Sequence, residues 1–461
     1  MRHLLISLFC CSVFLADVHA VDKGKPNIVL IVADDLGWTD VGCFGSRYYE
    51  TPHIDRLRKE GMQFSAAYTC GPNCAPTRAC LMTGRYTPRH GIYTVSTGAR
   101  GLEKFRKLVP VPNRTSLPLS EVTIANVLKE AGYKTGMFGK WHLGNADEYH
   151  PSRRGFDEAI VSAGRHFNFV TDPRMKIAPG TYLADFLTDQ AVRFIEKNKN
   201  ETFFLYLPHF SVHSPFQAKK DRITKYEKKK PIGGHNNPVY AGMIDSLDES
   251  VGRILNKLDE LNLAKNTIVL FYSDNGGLGG YDGLQIRNIT SNAPLRGGKG
   301  MLYEGGIRVP MILRWPGVVG AGTTCDEPII SVDFLPTLAE LAGVSAEPKN
   351  PIDGVSFVPL LKNSRSRIRR DAIYWHFPGY LQANVRLGTW RTTPAGAIRA
   401  GNLKLIEFFE DGRRELYDLN ADIGEKNNLV DKRPEDAERL YKMLTAWRKS
   451  VNAPMPTKKE R

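Results

Sequence analysis

Residues 27–33 read Asn-Ile-Val-Leu-Ile-Val-Ala, and this apolar run ends abruptly in Asp34 and Asp35. A strand that is apolar at every position is typical of a parallel sheet that is buried on both faces. Similar runs occur at residues 203–207 and 267–272, and each ends in polar residues. We therefore predict three buried strands whose carboxyl ends carry polar side chains.

The segments between these strands have helical patterns, at residues 119–131, 182–198 and 240–261. Alternating strands and helices predict an α/β fold, a large mixed, mostly parallel sheet sandwiched by helices. In this architecture the ligand site lies in a crevice at the carboxyl ends of the strands.

The composition changes near residue 365, where an arginine-rich stretch precedes short alternating segments. Residues 401–409 and 414–419 flank an Asp-Gly turn, which predicts a hairpin, and a helix is predicted at about residues 434–450. We predict a catalytic domain at residues 21–364. A smaller C-terminal α+β subdomain, an antiparallel sheet plus a helix, is predicted at residues 365–461.

The amino terminus has the pattern of a secretory signal peptide. Residues 4–15 are apolar, Arg2 and His3 precede them, and Val18-His19-Ala20 is a small-x-small cleavage pattern. We predict that residues 1–20 are removed and that the protein is exported, to the periplasm or as a secreted protein. No later run approaches the roughly 20 apolar residues that cross a bilayer, so we expect no stable membrane insertion.

The charge balance favours an anionic partner. The chain has 63 Lys+Arg and 49 Asp+Glu, a formal net charge of +14. The sequence has no helix-turn-helix, zinc finger or aromatic platform for single strands, so we expect no nucleic-acid partner. A sulfated or otherwise acidic glycan fits export better.

Five cysteines remain after residue 20, so at least one is unpaired in an exported chain. Cys74 is the cysteine of interest because Pro76 can open a helix there and Arg78 falls one turn along, where anions are stabilised. From the cysteine count alone, a disulfide from Cys74 to Cys70 or Cys80 is an equal alternative.

A second group of polar residues follows the predicted strands. Asp34, Asp35, Asp274 and Asn275 supply three carboxylates and an amide oxygen. Hard oxygen donors suit Ca²⁺ or Mg²⁺ rather than zinc. For an Asp-Asp pair alone, a helix cap or a solvated turn is the alternative interpretation.

Two segments carry a family resemblance. Cys74-x-Pro-x-Arg78 with Leu-x-Thr-Gly-Arg at residues 81–85 resembles the signature of the sulfatase family, and Gly-Lys-Trp-His-Leu-Gly at residues 139–144 resembles its second signature. The resemblance extends from about residue 26 to residue 429. It is greatest to carbohydrate sulfatases, including those of N-acetylgalactosamine sulfates, and to arylsulfatases.

The resemblance implies a modified nucleophile and a metal. A formylglycine-generating enzyme would oxidise Cys74 to Cα-formylglycine (3-oxoalanine), whose hydrated aldehyde attacks sulfur. Asp34, Asp35, Asp274 and Asn275, together with the modified residue 74, would bind one Ca²⁺ ion.

The resemblance also implies roles for five further residues. Lys140 would contact the sulfate, His142 the formylglycine hydrate, and Arg78 would hold that hydrate. His213, with Lys299 alongside, would protonate the leaving oxygen. On the residues alone, the alternative for His213 is a loop histidine, because His209 lies close by, and Lys299 is interpreted as part of a mobile glycine-rich surface loop.

The predicted function is hydrolysis of a sulfuric ester on a carbohydrate, at a chain end. Candidate substrate-binding residues are His90, Arg165, His166 and His376, each of which is alternatively an ordinary loop or packing residue. The competing functions are a broad arylsulfatase, a phosphodiesterase or phosphonate monoester hydrolase of the same superfamily, and an inactive protein that binds sulfated glycans.

Overall fold

The computed structural model describes residues 24–345 and 351–459. The predicted signal peptide therefore lies outside the described residues. Within the described ranges, no helix is long and apolar enough to cross a membrane.

The strands in chain order are β1 Asn27–Ala33, β2 Met62–Phe64, β3 Ala67–Tyr68, β4 Leu108–Val109, β5 Lys134–Gly139, β6 Glu158–Val161, β7 Phe203–Pro208, β8 Thr267–Ser273, β9 Met311–Arg314, β10 Thr323–Cys325, β11 Ile329–Ile330, β12 Ile373–Phe377, β13 Leu381–Asn384, β14 Thr389–Thr392, β15 Ala395–Ala400, β16 Leu403–Phe408, β17 Arg414–Asp418 and β18 Thr457–Lys458. The α-helices are α1 Pro52–Glu60, α2 Cys74–Thr83, α3 Thr87–His90, α4 Ile124–Glu130, α5 Leu183–Lys197, α6 Lys220–Glu227, α7 Pro238–Glu260, α8 Glu304–Ile307, α9 Phe334–Leu341, α10 Val358–Lys362 and α11 Pro434–Ser450.

Eight strands form the main sheet, in the order β10-β2-β9-β8-β1-β7-β5-β6. Only β9 runs antiparallel to its neighbours β2 and β8, while the other pairs are parallel. The predicted mixed, mostly parallel sheet is confirmed. The strand β1 lies between β7 and β8, so its carboxyl end is in the middle of the sheet edge.

The apolar strand β1 is buried on both faces. Ile28 and Leu30 belong to the core on one face, with helices α2, α4 and α9. Val29 and Ile31 belong to the core on the other face, with helices α1, α5 and α7. Because successive side chains of a strand point to opposite faces, helices on both faces require the unbroken apolar run.

The helices predicted at residues 182–198 and 240–261 are confirmed as α5 and α7. The one predicted at residues 119–131 is shorter, because α4 begins only after Thr123. The Thr123 hydroxyl accepts a hydrogen bond from the backbone N–H of Asn126 at 3.3 Å, and the Asn126 side chain accepts from the Thr123 N–H at 3.1 Å. This reciprocal capping box fixes the start of the helix.

The C-terminal region forms a separate antiparallel sheet in the order β12-β15-β16-β17. The predicted hairpin is confirmed as the pair β16 and β17, and the predicted final helix as α11, which packs on β15 and β16. The smaller α+β unit expected after the main sheet is therefore present.

A buried ionic network joins the C-terminal sheet to helix α8. Lys404 of β16 lies 2.8 Å from both Glu304 and Glu425, and all three side chains have no solvent exposure. Glu304 also accepts hydrogen bonds from Arg308 and from Tyr68 of β3. Removal of one partner from such a cluster leaves a buried charge without compensation.

We expect Lys404→Met to lower the free energy of unfolding by about 3–5 kcal/mol, because Glu304 and Glu425 would lose their shared cation. Urea denaturation followed by circular dichroism measures this loss. The exposed Lys432 provides the control, since Lys432→Met should stay within about 0.5 kcal/mol of wild type. Equal effects of the two substitutions would contradict the structural role of Lys404.

Candidate active site

A crevice of about 570 Å³ opens where β1, β5, β7 and β8 end. Its position matches the expectation for an open α/β sheet. The residues that line it are Asp35, Asn73, Cys74, Val95, Arg100, Lys140, Trp141, His142, Asn145, Val161, Ala163, Gly164, Phe210, His213, Ser214, Leu278, Lys299, Leu381 and Arg391.

Four acidic and amide side chains meet at the edge of the sheet. Strands β1 and β8 pair in parallel up to Ala33 and Ser273, so the residues that follow lie side by side. The backbone N–H of Asp35 donates to Asp274 at 3.2 Å, and the Asn275 amide donates to Asp35 at 2.8 Å. The chain turns sharply here, since Asp35 has a φ of 65°.

Cys74 is the first residue of α2, and its thiol is free. The disulfide with Cys70 or Cys80 is thus absent from the structure. The predicted helix start at Pro76 is wrong by two residues, while Gly84 ends the helix as expected, in the left-handed conformation with a φ of 66°. All ten residues of α2 are buried, so Cys74 lies on a rigid, packed element.

Arg78 connects three elements beneath the crevice. It is only 1% exposed, and its guanidinium donates to Asp274 at 2.9 Å and to the carbonyl oxygen of Lys140 at 2.6 Å. These contacts attach α2 to the ends of β8 and β5. Arg78 is thus an ion-pair partner of Asp274, in addition to being one helical turn from Cys74.

Two lysines neutralise the two acids after β1. The Lys140 ammonium lies 2.5 Å from Asp34, and the Lys299 ammonium lies 2.5 Å from Asp35. The loop that carries Lys299 packs against the protein, because the Lys299 backbone N–H donates to the Gly277 carbonyl oxygen at 3.0 Å and Gly298 lies against backbone. A Cβ on Gly298 would lie 2.1 Å from the Gly279 oxygen.

Two histidines, His142 and His213, line the crevice. Lys140 and His142 both line the crevice, and the backbone turns at His142, which has a φ of 66°. The Nε2 of His213 is 3.8 Å from Asp35. The nearby His209 is in the core, bonded to Ser250 at 2.9 Å, so His213 rather than His209 faces the crevice.

Burial and charge set the protonation of these groups. Burial lowers the pKa of His142 to about 3, and the charge of Lys140 acts in the same direction. Burial also lowers the pKa of His213, although Asp35 opposes the change. Burial raises the pKa of Asp274 well above its usual value, and Asp34 adds to this despite Arg78. For Asp34, nearby cations, above all Lys140, overcome burial and lower the pKa.

The acidic group has the chemistry of a metal site. Ligand atoms of Asp34, Cys74 and Asp274 all lie within 4.8 Å of one another. Asp34 Oδ1 and Asn275 Oδ1 are buried and have no hydrogen-bond partner among the described residues. Buried acceptors without a donor are costly, and a cation would satisfy both. The residues therefore fit a hard divalent ion.

Arg165 and His166 lie beside the crevice rather than in its wall. His166 is fully buried, its Nε2 is 2.8 Å from the His213 carbonyl oxygen, and its ring stacks on Phe210 at 4.9 Å. It supports the backbone of His213. Arg165 is exposed, one residue beyond the lining residue Gly164.

His90 and His376 are not among the residues that line the crevice. His90 Nε2 lies 3.4 Å from the Cys80 sulfur, and burial lowers its pKa to about 3. His376 Nε2 is 2.9 Å from the Pro454 carbonyl oxygen, and burial lowers its pKa to about 4. Both rings are packed into the protein.

Five polar residues of the crevice were not predicted from the sequence: Asn73, Arg100, Asn145, Ser214 and Arg391. Asn73 directly precedes Cys74, and Asn145 follows the segment with the second signature, so proximity to these motifs was a usable signal. Arg100 and Arg391 are in loop and hairpin segments without a motif, and only the fold brings them together.

Comparison with known proteins identifies the family. Residues 26–344 match the family described as Sulfatase, and residues 298–450 match one described as N-sulphoglucosamine sulphohydrolase, C-terminal. A sulfatase of Formosa agariphila is 33% identical over 93% of this chain and 90% of its own length. Human N-acetylgalactosamine-6-sulfatase is 33% identical over 74% of this chain and 66% of its own.

A solved structure agrees with these matches. The crystal structure of Ps i-CgsB in complex with k-i-k-neocarrahexaose superposes with a TM-score of 0.78, at 31% identity and with 92% of each chain covered. The match of residues 26–344 to the Sulfatase family includes the whole main sheet, every residue of the acidic group and all of α2. The chain therefore belongs to the sulfatase family, whose members hydrolyse sulfate esters.

Proposed function

We propose that the protein removes sulfate from a sulfated carbohydrate, with formylglycine at position 74 as the nucleophile. The observation that carries this proposal is the single crevice that Cys74 shares with Lys140, His142, His213 and Lys299. The names of similar proteins support the substrate class, since one is an N-acetylgalactosamine-6-sulfatase and another was solved with a neocarrahexaose.

The cations of the crevice would bind the sulfate group. Lys140, Lys299 and Cys74 all line the crevice, and each lysine ammonium already balances one buried carboxylate. Positive groups fixed in a partly dehydrated crevice stabilise the charge that develops on the sulfuryl oxygens. The buried Arg78, one helical turn after Cys74, would hold the hydrate at position 74.

The histidines would move the protons. One hydroxyl of the hydrate at position 74 passes its proton toward Asp274 and attacks sulfur, and the bond from sulfur to the sugar oxygen breaks. His213 gives that oxygen a proton, with Lys299 alongside. His142 then takes the proton of the second hydroxyl, so that sulfate leaves and the aldehyde re-forms.

Asp34, Asp35, Asp274 and Asn275, together with the modified residue 74, would hold one Ca²⁺ ion. The unpaired oxygens of Asp34 and Asn275 support this assignment. The ion would supply Lewis-acid stabilisation of the reacting oxygens.

The proposal also includes action at the end of a sugar chain, export of the protein and maturation by a second enzyme. The hairpin of β13 and β14 contributes Leu381 and Arg391 to one wall of the crevice. A crevice that the C-terminal region closes on one side suits the end of a sugar chain. Arg165, at the crevice rim, is the remaining candidate for substrate contact. The signal pattern of residues 1–20 supports export, and maturation would require a formylglycine-generating enzyme.

We expect the peptide that contains residue 74, in protein from its native host, to be lighter than the thiol form by one H₂S minus one oxygen atom. Cys74→Ala should lower kcat/KM for an aryl sulfate by at least about a thousandfold, because the nucleophile is lost. Cys43 lies outside the crevice, so Cys43→Ala should retain activity. Wild-type activity of the Cys74 variant would disprove the nucleophile.

The rival reactions are tested with the same preparation. An aryl phosphodiester that is hydrolysed faster than the aryl sulfate would favour a phosphodiesterase. An unmodified Cys74, with no hydrolysis of either ester, would favour a glycan-binding protein instead.

We expect Ca²⁺ to raise the Tm of EDTA-treated protein, because an ion at a hundred times its Kd stabilises the folded state by about 2.7 kcal/mol. Asp34→Asn should abolish most of this rise, since it removes a carboxylate from the proposed site. Asp411→Asn, at an exposed turn, is the control and should keep the full response. A larger shift with Zn²⁺ than with Ca²⁺ would contradict the oxygen-ligand assignment.

A further inference from the structure

Two arginines that no motif identified line the same crevice as Cys74. Arg100 is in the loop between α3 and β4, and Arg391 is on β14. Both are partly buried. Among the described residues, no carboxylate lies within ion-pair distance of either guanidinium, whereas Lys140 and Lys299 are each paired.

Arg391 is held against the loop that carries Lys299. Its guanidinium lies 4.7 Å from the centre of the Tyr281 ring, and the Tyr281 hydroxyl donates to the Lys299 carbonyl oxygen at 2.8 Å. A Cβ on Gly300 would come within 3.1 Å of the Arg391 side chain. The Nε of Arg391 is buried and has no hydrogen-bond partner in the described part of the chain.

Arg100 is held next to the same hairpin. Its guanidinium donates to the Val95 carbonyl oxygen at 2.6 Å. The following residue, Gly101, packs so closely on Trp390 that a Cβ there would lie 2.5 Å from the indole ring. Arg100 directly precedes Gly101, and Arg391 directly follows Trp390. The contact between Gly101 and Trp390 therefore holds together the two segments that carry the arginines. Burial lowers the pKa of Arg100, and the charge of Arg391 lowers it further.

This pair is therefore a concentration of positive charge that the protein itself does not neutralise. Two like charges held together are unfavourable unless an anion lies between or beside them. The planar guanidinium group matches an oxyanion through two parallel hydrogen bonds. Both arginines line the crevice without belonging to the acidic and amide group, so they add positive charge beyond that of the two paired lysines.

We propose that Arg100 and Arg391 form a second oxyanion subsite, which binds a further sulfate or a carboxylate of the same carbohydrate while the scissile sulfate lies at Cys74. The inference rests on the proposed function and adds that the preferred substrate carries at least two anionic groups. Specificity would arise because a substrate without the second group leaves the arginines unpaired.

The test compares hydrolysis of hexosamines that carry one sulfate, two sulfates, or one sulfate and a linked uronate, with 4-nitrophenyl sulfate as the probe of the chemistry itself. We expect the wild type to favour at least one doubly anionic probe by about tenfold or more in kcat/KM. Arg100→Gln and Arg391→Gln should each lower that ratio about tenfold. The probe that is favoured distinguishes a sulfate from a carboxylate.

The ratio of two kcat/KM values from one preparation does not depend on how much of the protein is folded, so partial misfolding of a variant does not affect it. Arg386→Gln is the matched control, since Arg386 is exposed on the same hairpin outside the crevice. It should leave the ratio unchanged. Raised salt should lower the wild-type ratio, because screening weakens the second contact.

Two results would overturn the inference and leave the proposed function intact. One is sulfate release at equal efficiency from singly and doubly anionic probes. The other is a preference that survives both arginine substitutions. Absence of sulfate release from every probe, including 4-nitrophenyl sulfate, would instead overturn the proposed function, and the inference with it.

Discussion

The structure depends on a set of carboxylates that the parallel sheet brings close together. Their mutual repulsion is offset by buried cations. Strands β1 and β8 end side by side, so Asp34, Asp35 and Asp274 lie within one small volume without solvent. Their charges are balanced by Lys140, Lys299 and Arg78, each from a different segment of the chain. Formation of the acidic group therefore requires that β5, α2 and the glycine-rich loop all be in position.

The C-terminal sheet also helps to position the groups around these carboxylates. Lys404 fixes it to Glu304, only five residues after Lys299, so the position of the loop with this lysine depends on the second sheet. The hairpin of β13 and β14, also in the C-terminal region, contributes Leu381 and Arg391 to the crevice wall. The main sheet carries the acidic group, and the C-terminal region contributes part of the crevice wall.

The sequence was informative where one local requirement dominated. The runs at β1, β7 and β8 could be identified because a strand buried on both faces must be apolar throughout. The first residue of α4 was harder to predict, because the helical pattern in the sequence begins before the capping box at Thr123 that starts the helix. The left-handed backbone at His142 could not be predicted, because a φ of 66° has no sequence signature in a non-glycine residue. The histidines at 90 and 376 looked like binding residues, but packing buries both.

The sequence by itself determined the family, the α/β architecture and the short segments that carry the reactive side chains, because those depend on periodicity and on residues close together in the chain. Only the tertiary structure decided which charges meet. Arg100 and Arg391 are 291 positions apart in the chain, and their proximity follows from the packing of Gly101 on Trp390. Contacts of this kind are set by the balance of burial and charge over the whole fold, which no local pattern records.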